Sequence, residues 1–175
     1  PGALVPAFEV FNAVAKGSAE AGWTTPGFHV ALIPSAPWFT TVPFGPQAGE
    51  YLAWLKYGGG QKLKDEIYGR YGVRGISCIS ITPEASGWFR KEIKTVDDLK
   101  GLKMRIPGIG GQIWAKLGAV PQQIAGGEIY PSLERGAIDG AEWVGPYDDE
   151  KLGFYKVAPF YYYPGFWEAG TQISL

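Results

Sequence analysis

Hydrophobic and polar residues change period several times along this chain, and each change falls at glycine or proline. Gly75–Ile81 is a short apolar run of strand length. Leu102–Ile106 is apolar at alternate positions and stops at Pro107-Gly108, which predicts a buried strand with a turn at its carboxyl end. Ile109, Ile113, Trp114 and Leu117 then fall at helical spacing, so one helix face should pack on that strand. The pattern repeats: Ala119–Gln122 predicts a second strand, Glu128–Arg135 a helix with Ile129, Tyr130 and Leu133 inward, and Ala137–Trp143 a third strand. Strands alternating with helices predict an α/β fold built on a parallel sheet. Ligands of such sheets bind beyond the carboxyl ends of the strands, where Arg105 and the pair Glu142-Trp143 fall.

Arg105 carries a planar guanidinium that offers parallel donors to a carboxylate and keeps its proton at any ordinary pH. Two readings stand for it: a clamp for an organic acid, or an arginine paired with a local Asp or Glu. The composition narrows the function classes around it. Seventeen acids against sixteen Lys and Arg, with no basic stripe, exclude a nucleic-acid partner. No apolar run approaches the roughly 18 residues of a membrane span. Cys78 is the sole cysteine, so no internal disulfide forms, and its apolar surroundings predict a small core residue. His29 has no partner at a recognised spacing and reads as structural. Gly58-Gly59-Gly60, Gly108–Gly111 and Gly126-Gly127 read as turns and helix starts, because no Gly-Lys-Ser/Thr follows them. Asp148-Asp149-Glu150 after Pro146, and Asp97-Asp98 before Leu99, suit the first turns of helices and read as caps.

Aromatic residues make up 15% of the chain and gather where the pattern places strand ends and loops: Trp38-Phe39, Phe44, Trp88-Phe89, Trp143, Tyr147 and Tyr161–Trp167. Large stiff rings at such places can wall a pocket and shed its water, or simply fill a core.

The segments VDDLKGLKMRIPG and LGAVPQQIAGGEIYPSLERGAIDGAEWVGPYDDEKLGFYKVAPFYYYPGFWEAG resemble the solute-binding receptors of tripartite ATP-independent periplasmic (TRAP) transporters. FNAVAKGSAEAGW at Phe11–Trp23, TVPFGP at Thr41–Pro46 and SGWFRKEI at Ser86–Ile93 extend the likeness over nearly the whole chain. The Tyr161–Glu168 tail is most similar to the receptors for 2-oxo acids and related monocarboxylates. The resemblance implies a periplasmic-binding-protein-like α/β fold of two lobes joined by hinge strands, of which this chain is the central portion. It divides the sequence into a partial first lobe at 1–43, a hinge crossing with helices at 44–80, a second, ligand-clamping lobe at 81–170, and a strand returning toward the hinge at 171–175. The hinge would be crossed near Thr41–Phe44, near Gly75–Pro83 and beyond Phe166.

The same resemblance implies a function and a site. The protein would capture a small pyruvate-like 2-oxo or 2-hydroxy acid without turnover, as a periplasmic receptor, and hand it to membrane permease subunits. Arg105, Glu142, Trp143, Phe44 and Trp167 would contact the ligand. Glu84, Glu142 and the Trp143 carbonyl would hold a Ca²⁺ or Na⁺ ion, with no organic cofactor. Glu84 stands where the family often has Gln, and the extra acid favours a hard divalent cation. The helices that mediate dimers in similar receptors lie outside this sequence, which leaves a homo-oligomer open. Two other classes compete: a glycosidase-like enzyme using Glu84 and Glu142 as its carboxylate pair, and an interaction fragment without a ligand of its own.

Overall fold

The computed structural model describes residues 2–81, 83–165 and 171–174, with the main chain alone at Thr171 and Gln172. Its helices are α1 Val10–Ala15, α2 Ala48–Tyr57, α3 Gly60–Gly69, α4 Gly108–Lys116, α5 Gly126–Glu134 and α6 Pro146–Leu152. The strands are β1 Ser77–Ile81, β2 Gly87–Phe89, β3 Lys103–Arg105, β4 Val120–Gln122, β5 Gly140–Ala141, β6 Phe160–Tyr162 and β7 Thr171–Ser174. The chain divides into two compact units, one formed by Pro1–Thr82 with Ala169–Leu175 and the other by Pro83–Glu168.

In the first unit Phe11, Ile33, Ala36, Phe39 and Tyr68 form a buried cluster. Phe11 meets the rings of Tyr68 and Tyr71 edge-on, each at 5.6 Å between centroids. α2 starts on a capping box, in which Gln47 and Glu50 each bond the other's main chain. β1 pairs with β7 antiparallel, from Ser77 opposite Ser174 to Ile81 opposite Thr171. Among the described residues these two strands form a sheet by themselves, and the residues of β1 are half-buried or exposed. The expectation that Cys78 is a core residue is therefore wrong: its side chain is exposed. An apolar run predicted the strand, but an apolar run does not specify how many layers cover it. His29 is buried beside Phe11, their rings 4.9 Å apart, as a structural histidine should be.

The second unit holds a five-stranded sheet in the order β4-β3-β5-β2-β6. β3 runs parallel to β4 and β5, as predicted. β2 is the exception: it lies antiparallel between β5 and β6. It precedes the β3–α4–β4–α5–β5 unit in the chain and inserts against its direction, a feature that the helix–strand alternation downstream does not encode. The third predicted strand is shorter than Ala137–Trp143, but Asp139 and Glu142 still donate to the Lys103 and Arg105 carbonyls on either side of β5.

Register divides the sheet residues between two faces. One cross-strand row runs Pro121, Met104, Gly140, Phe89, Phe160; the next runs Gln122, Arg105, Ala141, Trp88, Tyr161. Met104 and Phe89 join Leu99, Leu102, Ile106, Trp114 and Ala119 in one core. Gly140 belongs to this row because a Cβ there would meet the Phe89 ring at 2.6 Å. Ala141 joins Ile129, Leu133, Ile138, Phe154 and Ala158 in the other core, with Trp88 and Trp143 packed against it. Arg105 thus shares a sheet row with residues of the α5 side.

Candidate functional site

Arg105 ends β3, and only 2% of it is exposed. A guanidinium buried this far must have its donors answered by hydrogen bonds and its charge by an acid. Nε donates to the Ile124 carbonyl at 3.1 Å. Nη1 donates to the Glu142 main-chain carbonyl at 2.9 Å and to the Glu142 carboxylate Oε1. Nη2 makes no hydrogen bond to the described residues and is the open side of the fork. The Trp143 ring lies over the cation, 5.1 Å from Cζ to the ring centroid, within cation–π range.

Parallel pairing produces this arrangement. Arg105 sits opposite Ala141 in the β3–β5 ladder, so the next residue, Glu142, leaves the strand beside the guanidinium. Trp143 follows, and its ring packs on the start of α5, where a Cβ on Gly126 would strike it at 2.5 Å. Gly126 is required there by close approach; sequence alone reads it as a helix-start glycine.

Glu84 is buried, 5% exposed, which excludes a solvated loop acid. It lies in the stretch that leads into β2 and takes no part in a helix. The Glu84 main-chain carbonyl accepts from Gly165 N at 2.7 Å, and Ala85 N donates to the Val144 carbonyl at 3.0 Å. The Glu84 segment therefore runs beside the one carrying Glu142 and Trp143. Phe44 belongs to the other unit, where it is 72% exposed and has a φ of 58°. Trp167 lies outside the described residues.

Asp149 is the functional-looking residue that sequence reasoning assigned elsewhere. It does fall in the first turn of α6, and α6 ends at Gly153 in the left-handed region as the pattern suggested. Yet it is fully buried. Oδ2 accepts from the Trp88 indole at 2.9 Å and Oδ1 from Val144 N at 3.1 Å. Burial pushes its carboxyl above the ordinary range, opposed by the hydrogen bonds from Trp88, Val144 and Gly145. Asp98, by contrast, is a fully exposed cap whose carboxyl is held down by the Thr95 and Lys94 amides.

Among the described residues no three His, Cys, Asp or Glu side chains converge as a metal centre would require. Glu142, Glu84 and nearby main-chain carbonyls do supply hard oxygen donors, the type that Ca²⁺ and Na⁺ take. A cation bound here would complete its shell with ligand or solvent oxygens.

Comparison with known proteins identifies the family of the chain. The model of the DctP family, bacterial extracellular solute-binding protein family 7, matches residues 1–174. A monocarboxylate 2-oxoacid-binding periplasmic protein of Nostoc sp. is 51% identical over 174 residues, 99% of this chain and 48% of that protein. A TRAP periplasmic solute-binding protein of Pseudoalteromonas atlantica, solved with bound sodium and pyruvate, is 45% identical with a TM-score of 0.92, covering 95% of this chain and 50% of that one. One from Bordetella bronchiseptica, with calcium and picolinate in its active site, is 46% identical with a TM-score of 0.96, covering 99% and 52%. The chain spans about half the length of these relatives. Its α/β architecture is that of TRAP periplasmic binding proteins, a class that captures solutes and is not an enzyme family. Sequence and fold together place the chain in the DctP family of bacterial extracellular solute-binding proteins.

Proposed function

We propose that this chain forms the ligand-clamping part of a periplasmic TRAP receptor for a small 2-oxo monocarboxylate such as pyruvate, held through Arg105 and a bound cation. The observation that carries the reading is the buried Arg105–Glu142 pair under the Trp143 ring, at the carboxyl ends of two parallel strands. In this role Arg105 Nη2 donates to the ligand carboxylate, while Nε and Nη1 keep the guanidinium in place. Trp143 covers the guanidinium and keeps water from it. Glu142, the Trp143 carbonyl and Glu84 would hold the cation, which supplies positive charge beside the ligand's oxygens.

Charge balance supports a cation. With both glutamates ionised, Arg105 neutralises only one of them, and an anionic ligand adds a further negative charge. A buried site tolerates such an excess poorly. The ligands of the relatives fit the same chemistry: pyruvate and picolinate each carry a carboxylate next to a second lone-pair donor. A ligand of about six heavy atoms gains at most ~1.5 kcal/mol per atom, which sets a ceiling near sub-micromolar affinity. Residues 81–170 then act as the clamping lobe, with a permease in the membrane receiving the ligand.

The test is a calorimetric titration of pyruvate into chelator-treated protein, with and without added Ca²⁺ or Na⁺. Saturable binding that depends on the cation is expected. Absence of binding by a folded, monodisperse sample would overturn the receptor reading, and binding indifferent to chelator and cation would remove the metal from it.

A further inference from the structure

Glu142 and Trp143 lie between Val144, which bonds the buried acid Asp149, and Ala141, whose ladder partner Trp88 bonds the same acid. On one side, Ala141 lies opposite Trp88 in the β5–β2 ladder, and the Trp88 indole donates to Asp149 Oδ2. On the other side, Val144 N donates to Asp149 Oδ1. The carbonyl of that same Val144 accepts from Ala85 N, beside Glu84. Val144 is thus the junction between the two candidate cation-binding segments, and Asp149 holds it by its amide.

A simple core role does not account for an acid at this position. Asp149 is fully buried and has no Lys, Arg or His within ion-pair distance among the described residues. An uncompensated buried carboxylate costs stability, and an apolar side chain of its volume would avoid that cost. What the carboxylate supplies is acceptor oxygens that tie the start of its own helix, at the Val144 and Gly145 amides, to the Trp88 indole of β2, which no apolar residue and no single amide can reproduce.

We propose that Asp149 is a positioning residue for the ligand site: it fixes Val144, and through it sets Glu142, Trp143 and Glu84 in the arrangement that holds cation and carboxylate. The inference rests on the receptor reading above for what the positioned residues bind. The positioning itself is a separate and separately testable claim.

In Asp149→Asn one oxygen becomes an NH₂ group, which cannot accept from Trp88 or Val144, so one of the two ties is lost. The control is Ile138→Val, a conservative cut in the core against which Trp88 packs that removes neither tie. Both variants and the wild-type chain are compared by hydrogen–deuterium exchange and by pyruvate titration with cation. Asp149→Asn is expected to speed exchange at residues 141–145 and 84–86 relative to Ile138→Val, and to raise the Kd for pyruvate at least tenfold with a higher cation requirement. Unchanged exchange in those segments overturns the proposal, and so does faster exchange with an unaltered Kd. Should Asp149→Asn fail to fold, Trp88→Phe removes one tie, keeps the carboxylate, and is judged by the same two readouts. If the wild-type chain itself binds no pyruvate, the receptor reading falls, and the exchange comparison alone decides whether Asp149 organises Val144.

Discussion

Arg105 shows how a single side chain can be both well satisfied and available. Two of its nitrogens are committed to Ile124 and Glu142, and the third has no hydrogen bond among the described residues. Lysine in its place would bring one compact charge with no fixed fork, so it could not bond Ile124, Glu142 and a ligand in one plane. Arg105→Lys is expected to weaken pyruvate binding by at least about tenfold, or ~1.4 kcal/mol, by calorimetry. Equal affinity would take Arg105 out of the site. Glu142→Gln removes the negative charge that faces Arg105 and, in the proposed site, the cation, leaving only a neutral oxygen donor, and is expected to weaken both pyruvate affinity and the response to added cation. The positions of Arg105 and Glu142 were legible from strand ends alone. Their pairing was not, since alternation says which residues end strands but not which strands adjoin. Asp149 does cap, since it accepts from the Val144 and Gly145 amides at the start of α6; its burial and its bond to the Trp88 indole were hidden for a similar reason.

At the scale of elements, α3 and the β1–β7 pair are joined by an uncommon bond. Lys64 is fully buried, and its Nζ donates to Ser174 Oγ at 2.7 Å and Ser77 Oγ at 3.1 Å, the two residues that face each other across the ladder. No carboxylate lies within ion-pair distance of it among the described residues. Burial lowers its pKa to about 8, against smaller upward pulls from Cys78 and Asp65. Between pH about 8 and 10 the unfolded chain would therefore hold a proton that the folded chain has released, and stability should rise with pH, by up to about 1.4 kcal/mol per unit. Above about pH 10 the buried phenols of Tyr51 and Tyr68, pushed upward, reverse the trend. Thermal unfolding across this range is expected to show the rise in the wild-type chain and lose it in Lys64→Met. On the acid side burial holds His29 down at about 4, so the unfolded chain takes up its proton first. Stability should fall as pH drops from 6.5 toward 4, and His29→Gln should flatten that part of the curve. Sequence reading recovered β1 as a strand and α4 and α5 as helices, because their periods are strong. It gave no sign of Lys64, since an amphipathic helix with Lys at one position normally turns that position to water.

The whole molecule consists of two units with unequal chain economy. Pro83–Glu168 is one continuous stretch that contains all five strands of its sheet and both of its cores. The other unit is assembled from two stretches and needs β7 to complete the ladder on β1. Deleting residues 169–175 is expected to leave the amides of the second unit protected while those of β1 and α3 exchange faster, which hydrogen exchange resolves segment by segment. Protection lost equally in both units would contradict the division. The α/β class and the parallel core of the sheet followed from alternating periods. The reversed β2 and the discontinuous first unit did not, because both depend on pairing between residues far apart in the chain.

The pairing of Ile81 with Thr171 opens a route to re-engineering the chain. The second unit leaves and rejoins the first at adjacent positions of one ladder, so in topological terms it is an excursion out of a β-hairpin. A two-residue Asn-Gly turn spliced between those positions would close the hairpin, turn the host into an uninterrupted chain, and make the guest a replaceable insert.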